Sequence, residues 1–314
     1  MPHVLRCALQ RRRPCEAPRR TTVLDVGCNK GYFSGIALNY LAPGFGNHLQ
    51  LLYTEHIKSN KSDNPCGSCN DCQEPLPKHL PSLGQAQVDV YCYEPSTVLF
   101  SGLTTARDTV YGPPESPVQG KGTTVRFNLR NKAVSNRTGT DKFPTDSATE
   151  VGSLGEGAPV NVTTLDAELS EAGMPTYLDV LKIDAEGFDP TVMAGAYHLL
   201  RSHRVGLLTF EYHSEWNRSG GKLRLCLDYL EELGYSCYFD GPRLVKLSGC
   251  WHHELEIDRC SNVVCAVQGS AYDDALFKGS FIAQSHGVGV NGTTGEPVAA
   301  THNLLGGRRM RARE

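Results

Sequence analysis

The 314-residue sequence predicts an α/β fold, a mostly parallel sheet with helices on both faces. Three observations predict it. Residues 22–41 read as a strand, a glycine turn and a helix; strand-like and helix-like segments then alternate as far as residue 267. The composition, 39% hydrophobic and 21% charged, suits a globular chain long enough for one large α/β domain with additions.

In "VLDVGCNKGYF" (residues 23–33), apolar and β-branched residues surround one acid, Asp25. Phe33, Ile36, Ala37, Tyr40 and Leu41 then recur at helical spacing. Gly27 and Gly31 can take backbone angles closed to other residues, so the chain can approach a ligand and offer N–H groups at the helix start. A dinucleotide fingerprint would read G-x-G-x-x-G, with its acid on the next strand. Here Asn29 stands at the middle glycine and the acid already sits in the first strand, which favours a ligand without a pyrophosphate. The second strand, "VDVYCYEPS" (88–96), ends in Glu94 and a proline. A third covers 123–136, and the Gly/Thr/Ser-rich stretch after it, to about Pro159, contains a hairpin. Residues 177–187 and 205–213 form the fourth and fifth strands. Between them "FDPTVMAGAYHLL" reads as one crossover helix, with Asp189 as cap and Pro190 at its first position. A helix over 223–233 ends at Gly234, and "YSCYFDG" and "CSNVVCAV" supply the last strands.

The first 20 residues carry six arginines and one acid, and "GGRRMRARE" closes the sequence with four more arginines. Residues 1–21 and 271–314 are therefore expected to be mobile, leaving a domain over 22–270 with an insertion at about 43–87. No apolar run reaches membrane-spanning length and no signal core precedes the first strand. That favours the cytoplasm, while the Arg-rich, acid-poor head leaves organellar targeting open. A net charge of −3 gives no bulk attraction to a polyanion. Five N-x-S/T sequons, at Asn60, Asn136, Asn161, Asn217 and Asn291, carry little weight without a secretory signal. Of the twelve cysteines, Cys28, Cys92, Cys237 and Cys265 fall in apolar runs, where a free thiol acts as a small hydrophobe. In the insertion Cys66, Cys69 and Cys72 form C-x2-C-x2-C, which with His79 would suit a structural zinc. An iron–sulfur run would want a further Cys-Pro. The alternative is a loop of free or oxidised thiols.

The ordered series D-x-G-x-N-x-G-x-F, "YCYEPS", "NKAVSNRTGT", "VTTLDAEL" and "LKIDAEGFDPTVMAGAYHLL" closely resembles the FkbM-type methyltransferase family, over about residues 22–267 and interrupted by the insertion. The resemblance implies a class I methyltransferase-like, Rossmann-like fold with a seven-stranded sheet. It also implies S-adenosyl-L-methionine as cofactor and a hydroxyl of a sugar or other small molecule as acceptor. The candidate cofactor residues are Asp25, Gly27, Asn29, Gly31, Glu94 and Ala133. Ionised Glu94 can accept both ribose hydroxyls. Asp25 is placed to orient the turn or the methionine amino group, and Ala133 matches the segment near adenine in the family.

In "LKIDAEG" the two-residue period puts Lys182 and Asp184 on one face. A lysine in a central parallel strand needs an acid partner, because such strands are covered on both faces. Either Lys182 is a paired structural residue, or Lys182, Asp184 and Glu186 mark the edge where acceptor and methyl group meet. Asp184 is the first choice of general base, followed by Glu186 and by His213, beside Glu211 at the end of the fifth strand. Two other readings stay open: a methyltransferase-like binding module without turnover, and an RNA-modifying enzyme assisted by the basic tails.

Overall fold

The structure is a computed structural model and describes residues 20–42, 46–48, 51–52, 55, 86–120, 122–144, 152–171, 173–241 and 243–280. The expected zinc ligands Cys66, Cys69, Cys72 and His79 lie outside the described residues, as do residues 1–19 and 281–314, whereas Arg20 and Thr21 of the expected mobile head belong to the first strand.

The chain runs β1 (Arg20–Val26), α1 (Tyr32–Leu41), β2 (Ala86–Tyr93), α2 (Thr97–Tyr111), β3 (Gln119–Gly120), β4 (Thr123–Arg130), β5 (Ala133–Val134), β6 (Gly139–Phe143) and β7 (Ala158–Thr163). It continues through α3 (Leu165–Glu168), β8 (Leu178–Ile183), α4 (Asp189–Ala194), α5 (Tyr197–Arg201), β9 (Val205–Tyr212), α6 (Trp216–Ser219) and α7 (Leu223–Glu232). The last elements are β10 (Tyr235–Phe239), β11 (Val245–Lys246), a 3-10 turn (His253–Leu255), β12 (Ser261–Val267) and α8 (Ala271–Gly279).

The main sheet has the order β11-β10-β12-β9-β8-β1-β2-β4-β3. β9, β8, β1, β2 and β4 are parallel neighbours, and β12 enters antiparallel between β9 and β10. The expected seven strands are a correction: nine are present, because the two-residue pieces β11 and β3 extend the edges. Helices cover both faces. Val23, Val90, Phe127 and Val180 pack with α1, α2 and α8 on one side. Leu24, Leu181, Ile183 and Phe210 pack with α4, α5 and α7 on the other. This two-sided cover is why β8 is buried at every position.

A second, three-stranded sheet, β5-β7-β6, stands apart from the first. The expected third strand therefore ends at Arg130, and Ala133–Val134 pair with β7 instead. The expected hairpin is β6 against β7. The single crossover helix is also corrected to two short ones, α4 and α5, broken at Gly195. A Cβ there would lie 2.0 Å from the carbonyl oxygen of Ser135, so the second sheet presses against the break. Phe188, not Asp189, is the N-cap of α4, and Asp189 is fully buried. The folded body also passes residue 270, since α8 places Tyr272 and Leu276 in the core. Among the described residues no helix is long and apolar enough to cross a membrane.

Candidate active site

The order of the main sheet reverses between β1 and β8, and the crevice beyond the carboxyl ends of strands at such a point is where open α/β sheets bind ligands. There the turn after β1 is pinned from two sides. The N–H groups of Gly27 and Cys28 donate to the carbonyl oxygen of Tyr93, at 3.0 and 3.2 Å, and Asp184 N–H donates to Val26 O at 3.1 Å. Gly27 has φ +70°, and a Cβ on it would stand 1.9 Å from the carbonyl oxygen of Asp184, so no other residue fits. Asn29 is also left-handed, with φ +49°. Its N–H consequently points back to Glu94 Oε2 at 2.8 Å.

The turn and β2 are also joined covalently, by a disulfide between Cys28 and Cys92. Cys237 and Cys265, register partners on β10 and β12, form another. The expectation of free thiols at these four positions is overturned. Neighbouring strands bring residues far apart in sequence into bonding distance, which spacing along one strand does not reveal.

Glu94 follows β2 and is almost fully buried. Oε1 accepts the Ser96 N–H and Oε2 the Asn29 N–H, both at 2.8 Å. Burial pushes its carboxyl up to about 7, and those two N–H groups work against the rise. A carboxylate offers about four acceptor positions, so about two are left for a ligand.

Behind the turn, Asp25 is fully buried on β1. It accepts a 2.6 Å hydrogen bond from Ser34 Oγ and lies 3.4 Å from Lys182 Nζ. Burial raises its pKa, and Lys182 opposes the rise. Lys182 reaches Asp184 Oδ2 at 3.0 Å and donates to Gly27 O at 3.2 Å. Burial disfavours the ammonium, but Asp184 and Asp25 outweigh it and hold the lysine above its usual range. The β8 lysine thus has acid partners on two strands and ties the glycine turn to the end of β8.

A cavity of about 270 Å³ opens over these residues. It is lined by Gly27, Asn29, Glu94, Ala133, Asp184 and Glu186, so six of the expected site residues share one space. Asn29 Oδ1 is buried and has no hydrogen-bond partner among the described residues. Asp25 and Gly31 do not line the cavity: Asp25 serves the Ser34 and Lys182 contacts, and Gly31 caps α1, where a Cβ would meet Leu103 Cδ2 at 2.9 Å. His213 does not line it either. It stands just past β9, half-buried, with a ligand atom within 4.8 Å of those of Asp184 and Glu211. Burial lowers its pKa, opposed by Asp184 and Glu215, which favours the neutral ring.

The opposite wall was anticipated only in the "NKAVSNRTGT" segment. Lys132, Ser135, Arg137, Phe143 and Leu154 come from β5, β6 and their flanking loops. Lys132 is fixed by Glu168 on α3, at 2.6 Å, and Glu168 also accepts the Tyr93 hydroxyl at 3.0 Å. Lys132, Ser135 and Arg137 lie in the "NKAVSNRTGT" segment and Glu168 in "VTTLDAEL", whereas nothing in the sequence pointed to Phe143 and Leu154.

A glycine turn, a buried strand-end acid and a cavity thus meet at the switch point of a mostly parallel sheet, the place where open α/β sheets hold their ligands. The sequence matches the methyltransferase FkbM domain over residues 60–237, more than half of the chain, and the protein belongs to that methyltransferase family. The match begins after the glycine turn, which the structure sets beside the matched segment through the β1–β2 and β1–β8 pairings. None of the curated proteins compared with the chain matches it.

Proposed function

We propose that this methyltransferase uses S-adenosyl-L-methionine and methylates a hydroxyl of a carbohydrate or similar small molecule. The observation that carries the cofactor reading is Glu94, whose backbone-held carboxylate lines the cavity with acceptor capacity to spare. Both ribose hydroxyls of the cofactor are donors suited to it. The unpartnered Asn29 Oδ1 is an acceptor for the amino group, and Ala133 leaves flat space beside the adenine. Gly27 brings the backbone close without a side chain in the way, and the left-handed Asn29 continues the turn. When bound, the cofactor supplies a methyl group on an electron-poor sulfonium.

The chain's own work is then positioning and proton handling. The cavity walls exclude water and hold the acceptor oxygen near the carboxyl end of β8. A hydroxyl is a weak nucleophile at neutral pH, so its proton must leave as the new oxygen–carbon bond forms. Asp184 lines the cavity with one oxygen tied to Lys182; it accepts the hydroxyl's hydrogen bond and fixes its direction. Glu186, on the same wall, is the group to receive the proton, whereas His213 stands beyond β9 and outside the lining.

The test is incubation with methyl-labelled S-adenosyl-L-methionine and fractionated small-molecule extract, followed by identification of the labelled product. Asp184→Asn should keep cofactor affinity within about threefold while turnover falls about 10²-fold. Full turnover in that variant removes Asp184 from the chemistry. Labelling of RNA instead, lost when the basic tails are trimmed, would replace the small-molecule reading. Cofactor binding with no labelled product at all would support a binding module.

A further inference from the structure

At the carboxyl edge of the sheet, β8 and β9 are paired with Lys182 opposite Thr209 and Ile183 opposite Phe210. The next position of that register sets Asp184 beside Glu211. His213 lies two residues beyond Glu211, and residues two apart on an extended strand share a side. Asp184, Glu211 and His213 accordingly each offer a ligand atom, and these atoms lie within 4.8 Å of one another. Ligands about 2.1 Å from a common ion stand about 3–4 Å apart, so a contraction of about 1 Å would close this set around a metal.

The surroundings point to a cation. Asp184, Asp25 and Glu211 act electrostatically on Lys182, whose ammonium is already shared between Asp25 and Asp184. Asp189, close by, is fully buried, and burial pushes its carboxyl well above the usual range, toward the neutral form. Among the described residues, the carboxyl groups of Asp25, Asp184 and Glu211 therefore act on this one ammonium. Asp184 can keep its contact with Lys182 and still offer a ligand, since a carboxylate has about four acceptor positions.

We propose that Asp184, Glu211 and His213 form a divalent-cation site, and that this cation takes two neighbouring oxygens of a vicinal-diol acceptor. Two carboxylates suit Mg²⁺ and Mn²⁺, imidazole suits softer ions, and Mn²⁺ accepts both. Three protein ligands leave about three of six positions for water and acceptor oxygens. Adjacent hydroxyls, as on a sugar ring, fill two of them. The cation lowers the pKa of the hydroxyl that reacts, and Glu186, outside the ligand set and lining the cavity, takes its proton. The oxygen's electron pair forms the new bond to the methyl carbon as the sulfur–carbon pair returns to sulfur, leaving S-adenosylhomocysteine and a methyl ether. The role in transfer rests on the methyltransferase function proposed above; cation binding does not.

The experiment titrates Mn²⁺ into metal-stripped full-length protein, with the free-ion signal read by electron paramagnetic resonance. The exposed trio His252, His253 and Glu254 is a background site common to every sample. Wild type should bind about one Mn²⁺ more than Glu211→Gln and His213→Gln, each weakening that site tenfold or more at unchanged melting temperature, and Mg²⁺ or Zn²⁺ should compete. Equal binding by wild type and both folded variants overturns the proposal, as does no binding at millimolar Mn²⁺. Should one variant fail to fold, the other decides alone. Calorimetry with S-adenosyl-L-methionine in chelator separates the two ideas. Cofactor binding without Mn²⁺ binding sinks only the cation site, and Mn²⁺ binding without cofactor binding sinks only the cofactor reading.

Discussion

Replacing Glu94 by alanine separates what its carboxylate does for a ligand from what it costs the fold. Two backbone N–H groups at 2.8 Å occupy one position on each oxygen, leaving about two acceptor positions for ribose. A hydrogen bond to a charged group contributes about 1.5–3 kcal/mol, and water in the truncated site recovers part of the two that are lost. The expected weakening at pH 8 is about 2–4 kcal/mol, or roughly 30- to 1000-fold in Kd. Stability moves differently. Burial lifts the carboxyl from its usual 4.5 to about 7, so holding it ionised at pH 8 costs the fold on the order of 3 kcal/mol. The raised value means that the unfolded chain releases this proton first. Wild type therefore loses Glu94's share of stability as pH rises from about 4.5 through about 7. Glu94→Ala lacks that slope, so its melting temperature without ligand should gain on wild type between pH 5 and pH 8. Titration calorimetry with S-adenosyl-L-methionine and thermal melts at both pH values are the assays. Unchanged affinity would remove Glu94 from the site, and a melting difference independent of pH would refute the burial argument.

Gly27→Ala places a methyl group 1.9 Å from the Asp184 carbonyl oxygen in a left-handed conformation. It should cost about 3 kcal/mol or more of stability and abolish measurable cofactor binding, and an unchanged melting temperature would contradict the close approach. The Cys28–Cys92 bridge ties the glycine turn to β2 across a sequence separation of 64. Cys28→Ala/Cys92→Ala should lose about 2–4 kcal/mol in a denaturant titration, whereas equal stability of oxidised wild type and variant would show that the bridge contributes nothing.

The parallel sheet was legible because its strands leave local marks. Residues such as those of "VLDV" and "YLDVLKI" are apolar on both faces, and glycine or proline punctuates their ends. The first cavity wall was legible for the same reason, since Gly27, Glu94 and Asp184 each sit at the end of such a strand. The part of the second wall made by Phe143 and Leu154 was not, because these residues reach the cavity through the pairing of β6 with β7, which short polar strands announce weakly. The division of the crossover helix lies at Gly195, where the pressure comes from Ser135, some 60 residues earlier in the chain. Sequence rightly demanded a partner for Lys182, but Asp25 became one only when β1 and β8 paired. The disulfides have the same non-local origin.

The central position of β1 has a consequence for how the chain is made. Its pairing with β8 joins Val23 to Val180, so one flank of the strand stays without its partner until synthesis has passed position 180. At roughly 5–20 residues per second, that wait lasts about 8–30 s. Throughout it, an apolar segment that ends as the middle of the sheet is a sticky nascent strand. Domain completion is therefore late and abrupt rather than progressive, and a truncation before β8 removes the partner of the first strand as well as the last part of the sheet.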